Sequence, residues 1–223
     1  MKIPLFDIDW TLLEGSNQAH HQSFDYAFKK IYQVPTASKQ EIPTEGMIDN
    51  QILIEVLKLH HITEKEAKSK IKAAVAAMER FYHQYPKRNI VKVMPGVVKL
   101  LDRLKQLNIP MGLLTGNIES IGWDKVKSAG IKDYFSFGAF GNLAFKRVYL
   151  IPIAQERATK ALKKKIALKD LFIVGDSPLD IACAKAGGVK VVAIATGKAT
   201  FAELKAAKPD LILRSLKEDD DFI

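Results

Sequence analysis

The chain has 223 residues, which suits one α/β domain carrying a modest insertion, or two small domains. Hydrophobic residues make up 48% and charged residues 26%, which excludes a disordered or fibrous chain. Lys and Arg number 34 against 25 Asp and Glu, a net charge of +9, but the lysines are scattered. The one tight run, Lys163 to Lys165, reads as a helix end, so nucleic acid is not an expected partner.

In chain order, residues 3 to 7 read as a short buried strand, and the polar stretch Glu14-Gly15-Ser16-Asn17 opens a helical pattern running to Tyr32. Met47 to His60 and Thr63 to Tyr85 carry helical apolar spacing, with breaks at Val34-Pro35 and Pro43-Thr44-Glu45-Gly46. Residues 15–90 are therefore expected to form an all-helical insertion, and residues 1–14 and 91–223 a Rossmann-like α/β core. From Pro95-Gly96 onward, helices alternate with apolar strands. Helix 97–107 precedes strand 111–114, helix 118–129 a short strand at 135–137, and helix 150–164 strand 171–174. Helix 179–186, strand 189–194, helix 200–207 and strand 210–213 follow, then the acidic tail Glu218 to Asp221. Such alternation predicts a parallel sheet covered on both faces, with ligands collecting at the carboxyl ends of its strands.

Cys183 is the single cysteine, which rules out an internal disulfide and suits packing in a reducing compartment. The N-terminus has no signal-peptide pattern, and no stretch of about 18 apolar residues follows. The expectation is a cytoplasmic protein with no membrane association; the sequence does not specify an oligomeric state.

Three expected strand ends carry polar residues: Asp7 and Asp9, then Thr115 and Asn117, then Asp176 and Asp180. Each acid alone would pass as a turn or cap residue. Gathered at one sheet edge they would repel one another unless a cation intervened, and a hard dication such as Mg²⁺ suits few carboxylates plus water and phosphate oxygens.

The segment Leu5 to Leu13, with Asp7-Ile8-Asp9-Trp10-Thr11, resembles the first motif of the haloacid dehalogenase superfamily. Leu114-Thr115-Gly116-Asn117 resembles its second motif and Val174-Gly175-Asp176-Ser177-Pro178-Leu179-Asp180 its fourth. Lys146-Arg147 is the candidate third-motif pair, with spacing slightly favouring Lys146. The insertion, with Gly46-Met47-Ile48-Asp49, resembles the helical cap of the phosphoglycolate phosphatase-like branch.

This resemblance implies a phosphatase acting on small phosphorylated metabolites. Asp7 would be the nucleophile, forming an aspartyl phosphate, and Asp9 the acid-base group. Mg²⁺ would bind Asp7, the Asp9 backbone carbonyl and Asp176. Thr115, Gly116, Asn117 and Lys146 or Arg147 would hold phosphate; Thr11 and Asp180 would support the site, Asp180 by orienting metal-bound water. Trp10, Gly46, Met47 and Asp49 would shape specificity. A phosphomutase, a dehalogenase-type hydrolase and a non-catalytic phosphate- or partner-binding module are the alternatives; the pair Asp9 and Thr11 favours phosphate chemistry. Trp10 stands where the family very often has glycine, and the expectation is an ordinary φ with the indole packed near the cap. His20-His21 and His60-His61 have no carboxylate at ligand spacing and are expected to be packed or exposed.

Overall fold

The computed structural model describes residues 2–15, 17–85 and 91–217. The acidic run Glu218 to Asp221, Ser16 and the end of the expected insertion at residues 86–90 lie outside them. Six parallel strands form one sheet: β1 (Ile3–Phe6), β2 (Met111–Thr115), β3 (Phe135–Phe140), β4 (Leu171–Gly175), β5 (Lys190–Ile194) and β6 (Leu211–Leu213), in the order β3-β2-β1-β4-β5-β6. The fold is α/β, as expected. β3 runs three residues beyond the expected Phe137, because Leu113 to Thr115 pair with Gly138 to Phe140 and override the weak strand preference of glycine and alanine.

Both faces of the sheet are covered, which is why the strands read as continuous apolar runs. Leu5 and Ile173 face a core shared with α6 (Leu150–Leu162) and α7 (Pro178–Ala186). Phe6 and Val174 face a core built with α4 (Val97–Gln106) and Val126 of α5 (Glu119–Ser128). α8 (Phe201–Ala206) precedes β6 and adds Leu204 to the first of these cores.

Between β1 and α4 lie α1 (Gln18–Ile31), α2 (Asp49–Leu59) and α3 (Glu64–Gln84). They share a third core of Phe24, Phe28, Leu53, Leu57 and Met78, into which Ile118 and Ile121 from the start of α5 also pack. Helix starts are capped locally: Asn17 accepts the His20 N–H, and Thr63 accepts that of Glu66. The helical layer is stitched to the sheet at the start of α2. There Asp49 N–H donates to the Gly116 carbonyl at 2.8 Å, and the Asp49 carboxylate accepts the Ile118 N–H at 2.8 Å. Gly116 is required at this seam, since a Cβ on it would sit 2.1 Å from the Met47 carbonyl oxygen. Among the described residues, no helix is long and apolar enough to cross a membrane.

Candidate active site

The winding of the sheet reverses between β1 and β4, and the crevice outside their carboxyl ends is the switch point where ligands bind in such folds. Asp7 continues β1 directly, donating its N–H to the Val174 carbonyl at 2.9 Å. Phe6 pairs with Val174 and with Leu113, so Asp7, Thr115 and Asp176 emerge at nearly one level on three neighbouring strands.

Asp7, Asp176 and Asp180 are buried, and each can present an oxygen within 4.8 Å of the others. Burial, then the Asp180 and Asp7 carboxylates, push Asp176 up to about 8. Burial, only partly offset by Arg147, pushes Asp7 up to about 6. Three buried carboxylates at this separation resist joint ionisation, and an all-oxygen donor set of this kind fits Mg²⁺. Asp180 is fixed by the start of α7: Ser177 donates its N–H and hydroxyl to Oδ2 at 3.1 and 2.6 Å and accepts the Asp180 N–H in return.

Arg147 precedes α6 and is buried among these acids. Its Nη2 donates to Asp7 at 2.9 Å and to Asp180, and its Nη1 donates to the Gly46 carbonyl at 2.9 Å. Burial disfavours its charge, but the Asp180 and Asp7 carboxylates outweigh that and keep it a cation. Gly46 itself has φ +75°, and a Cβ there would meet Ser177 Oγ at 2.3 Å, so glycine is needed to bring this carbonyl to Arg147.

Asp9 faces away from the triad of acids. Its carboxylate receives two 2.8 Å hydrogen bonds from Lys125 Nζ and one of 2.9 Å from Asn117 Nδ2. Burial raises its proton affinity, yet the Lys125 ammonium and these hydrogen bonds prevail and hold it below the usual carboxylate range. Asn117 also donates to Thr115 Oγ1 at 2.7 Å and accepts from Lys125 at 2.7 Å. Lys125 then reaches His20 Nδ1 at 3.3 Å, and His20 Nε2 meets Asp49 at 2.9 Å. Burial lowers the His20 pKa, so the neutral ring accepts from Lys125 at Nδ1 and donates to Asp49 through Nε2. These groups, with Trp10, His21, Met47 and Lys39, line a cavity of about 170 Å³.

Comparison with known proteins identifies the family. The family model for haloacid dehalogenase-like hydrolases matches residues 4–194. The chain belongs to that family. A relative from Caldanaerobacter subterraneus, provisionally named pyrophosphatase PpaX, is 26% identical over 95% of this chain and 90% of its own length. The phosphoglycolate phosphatase of Neisseria meningitidis is 32% identical over 53% of this chain; the match spans half of that relative's length. A crystal structure of a phosphatase, so named by inference, from Clostridium acetobutylicum superimposes with a TM-score of 0.71 at 18% identity, covering 99% of this chain and 97% of that one.

Within this haloacid dehalogenase-like site, several expectations need correcting. Arg147, not Lys146, reaches Asp7: Lys146 is exposed, because the 3-10 turn Arg147–Tyr149 points the second residue of the pair inward. Asp180 joins Asp7 and Asp176 in the buried acidic cluster, whereas the Asp9 carboxylate is drawn off by Lys125. Trp10 has φ +63°, overturning the expected ordinary backbone; the turn is held by its N–H to the Leu13 carbonyl at 2.8 Å and by the Thr196 hydroxyl on its own carbonyl at 2.6 Å. Its indole reaches back to within 3.5 Å of where a Gly15 Cβ would lie.

Asp49 lines the cavity, but its carboxylate is spent on His20 and the Ile118 N–H. His20 does have a carboxylate partner, supplied by a different helix, and His60 has one in Glu41 at 3.0 Å. Lys125 belongs to no motif of the sequence, yet it holds Asp9 and Asn117. Its signal was present: Ile118, Ile121, Gly122, Lys125 and Val126 form one buried helical stripe, and a lysine on an apolar stripe needs an anion.

Proposed function

We propose that the protein is a Mg²⁺-dependent phosphatase hydrolysing small phosphomonoesters through an aspartyl-phosphate at Asp7. The observation that carries this reading is the Asp7 carboxylate at the switch point, beside Arg147 and within one cluster with Asp176 and Asp180. Asp7, Asp176 and the Asp9 backbone carbonyl would hold Mg²⁺, with Asp180 as a further oxygen donor or the orienter of a bound water. Bound there, the cation supplies charge neutralisation for the carboxylates and the phosphoryl group.

The chain's own residues then do the following. Asp7 attacks phosphorus in line, and Arg147, Lys125, Thr115 and the Gly116-Asn117 backbone bear the phosphoryl oxygens' charge. Asp9 protonates the leaving oxygen; a phosphate dianion arriving beside it raises its proton affinity from its resting low value. In the second half-reaction Asp9 takes a proton from the attacking water. Thr11 holds Asp176 through a 3.1 Å hydrogen bond. Residues 15–90 act in this reading as a cap over a core of 1–14 and 91–223, and a cytoplasmic setting suits the lone, buried Cys183.

A cavity of about 170 Å³ favours a small metabolite over a nucleotide, since sites for drug-sized ligands run to roughly 300–1,000 Å³. The names of the relatives, a phosphoglycolate phosphatase and a pyrophosphatase, point the same way. The test is release of phosphate from an aryl phosphate with Mg²⁺ and with chelator, together with trapping of a base-labile phosphoryl group on the wild type and its absence in Asp7→Asn. Hydrolysis undiminished in chelator, or a phosphoryl group still trapped on Asp7→Asn, refutes the proposal.

A further inference from the structure

The charged groups lining the cavity pair off almost completely among the described residues. Lys125 pairs with Asp9, Arg147 with Asp7 and Lys198 with Glu45, while the Asp49 carboxylate accepts from the neutral His20 ring. His21 is held neutral, its pKa pushed down to about 4 by burial and then by Lys39. Among the described residues, Lys39, on the helical side, is the cavity cation that makes no ion pair; the Asp49, Asp9 and Glu45 carboxylates attract it only from a distance, and burial outweighs them and lowers its pKa.

Lys39 is half-buried and sits in a short 3-10 turn, Lys39–Glu41, that is held through Ser38 and Glu41. Glu41 accepts the Ser38 N–H at 2.5 Å, and His60 Nε2 lies 3.0 and 3.1 Å from the two Glu41 oxygens. The Lys39 ammonium lies 5.0 Å from the centre of the Phe24 ring, a contact that orients a cation without neutralising it. A partly desolvated ammonium in a cleft costs stability unless something bound there offsets it. Its loop is pre-organised and its charge unspent, which is the arrangement of a recognition group.

We propose that Lys39 is a specificity residue that receives a second anionic group of the substrate, a carboxylate or a further phosphoryl, carried close to the phosphoryl group that Asp7 attacks. This rests on the phosphatase reading of the same cavity. A short doubly anionic substrate would span from the Arg147 and Lys125 end to Lys39, and the small volume of the cavity, lined by all three, suits two anionic groups that are near neighbours.

The experiment compares wild type, Lys39→Gln and Lys39→Arg on three substrates at fixed Mg²⁺: phosphoglycolate, 2-hydroxyethyl phosphate, which has the same carbon skeleton without the carboxylate, and inorganic pyrophosphate. The expected result is that Lys39→Gln lowers kcat/KM for a doubly anionic substrate by about 10- to 100-fold, the size of a lost charge-assisted hydrogen bond. The 2-hydroxyethyl ester should lose less than about threefold by the same measure, and Lys39→Arg should recover most of the loss. A loss confined to phosphoglycolate identifies the second group as a carboxylate; one confined to pyrophosphate identifies it as a phosphoryl. An equal loss on all three, or none on either doubly anionic substrate, overturns the assignment while leaving the phosphatase intact. Failure of the wild type on all three and on an aryl phosphate removes the phosphatase reading beneath it.

Discussion

The two walls of the cavity are built on different principles. The sheet wall takes Asp7, Thr115 and Asp176 from the ends of adjacent strands, so their convergence follows from register and parallel topology alone. The helical wall takes His20, Lys39 and Asp49 from separate segments of the insertion, and these meet Lys125 only because the helices pack against α5. The sheet wall gathers carboxylates in want of a cation, whereas on the helical wall Asp49 bonds to the neutral His20 ring and Lys39 is left without an ion pair. A strand-edge site fixes the chemistry, and a helix-packing site is free to vary what the chemistry is applied to.

The contrast can be broken first at the sheet wall. Asp7→Asn should keep the fold and reduce kcat by roughly 10⁴-fold or more, in the range of other essential nucleophiles. Phosphate release within about tenfold of wild type would show that Asp7 is not the nucleophile.

Next comes the pair at residues 146 and 147. Arg147→Ala should cost about 10²- to 10³-fold in kcat/KM, because it strips the charge partner from Asp7 and Asp180, while Lys146→Ala should stay within about twofold. The reverse ranking would mean that the inward turn at Arg147 is not the working arrangement.

Where the helical wall meets α5, Lys125→Met should slow turnover by about 10²-fold, because it removes a cation assigned to the phosphoryl oxygens, and should lower the melting temperature, since Asp9 then loses its charge partner. The acidic limb of the pH–rate profile should also move to higher pH. A variant with an unmoved profile would assign Lys125 to packing alone.

A smaller effect separates the walls by pH. The folded-state pKa values of Asp7 and Asp176 lie above the unfolded value of about 3.9, so the metal-free native chain binds more protons than the unfolded chain between those values. Stability in chelator should therefore fall as pH rises from about 4 to about 8. Stabilisation by Mg²⁺ should be larger at pH 8 than at pH 5, where part of the cluster is protonated, and should be small at either pH in Asp176→Ala. Thermal melting with and without Mg²⁺ checks this; equal shifts at both pH values would detach the cation from these carboxylates.

The smallest effect is expected at Trp10. A left-handed backbone costs a non-glycine residue about 1–2 kcal/mol, and glycine would return part of that through a more flexible unfolded chain. Trp10→Gly should move the melting temperature by less than about 4 °C. A fall of twice that size would show that indole packing, rather than backbone strain, dominates at this position.

The alternation of strands and helices, the helical stretch between β1 and α4 and the acids that follow the strands were legible because each depends on short-range pattern: apolar runs, caps, and residues two to four apart. Arg147 was legible only as one of a pair, since the choice between neighbours hangs on a single turn of 3-10 helix. The positive φ of Trp10 was hidden because the side chain argues against it, and two tertiary hydrogen bonds impose it. The partner of His20 is not nearby in sequence, because Asp49 arrives from another helix. Lys125 and Lys39 lay in plain view as lysines, a residue type whose usual place is the solvated surface.

The seam at the start of α2 has a further consequence for how the site exchanges its contents. The Asp49 amide is covered by the Gly116 carbonyl, and the Ile118 amide by the Asp49 carboxylate, so each is shielded from solvent only while the helical layer stays seated on the sheet. Deuterium uptake at these two amides would then clock the lifting of one layer off the other, separately from the slower opening of β1 or β4. An anion held between Arg147 and the helical wall should slow that clock, and the same two protons would report residence of the bound molecule without any need for turnover.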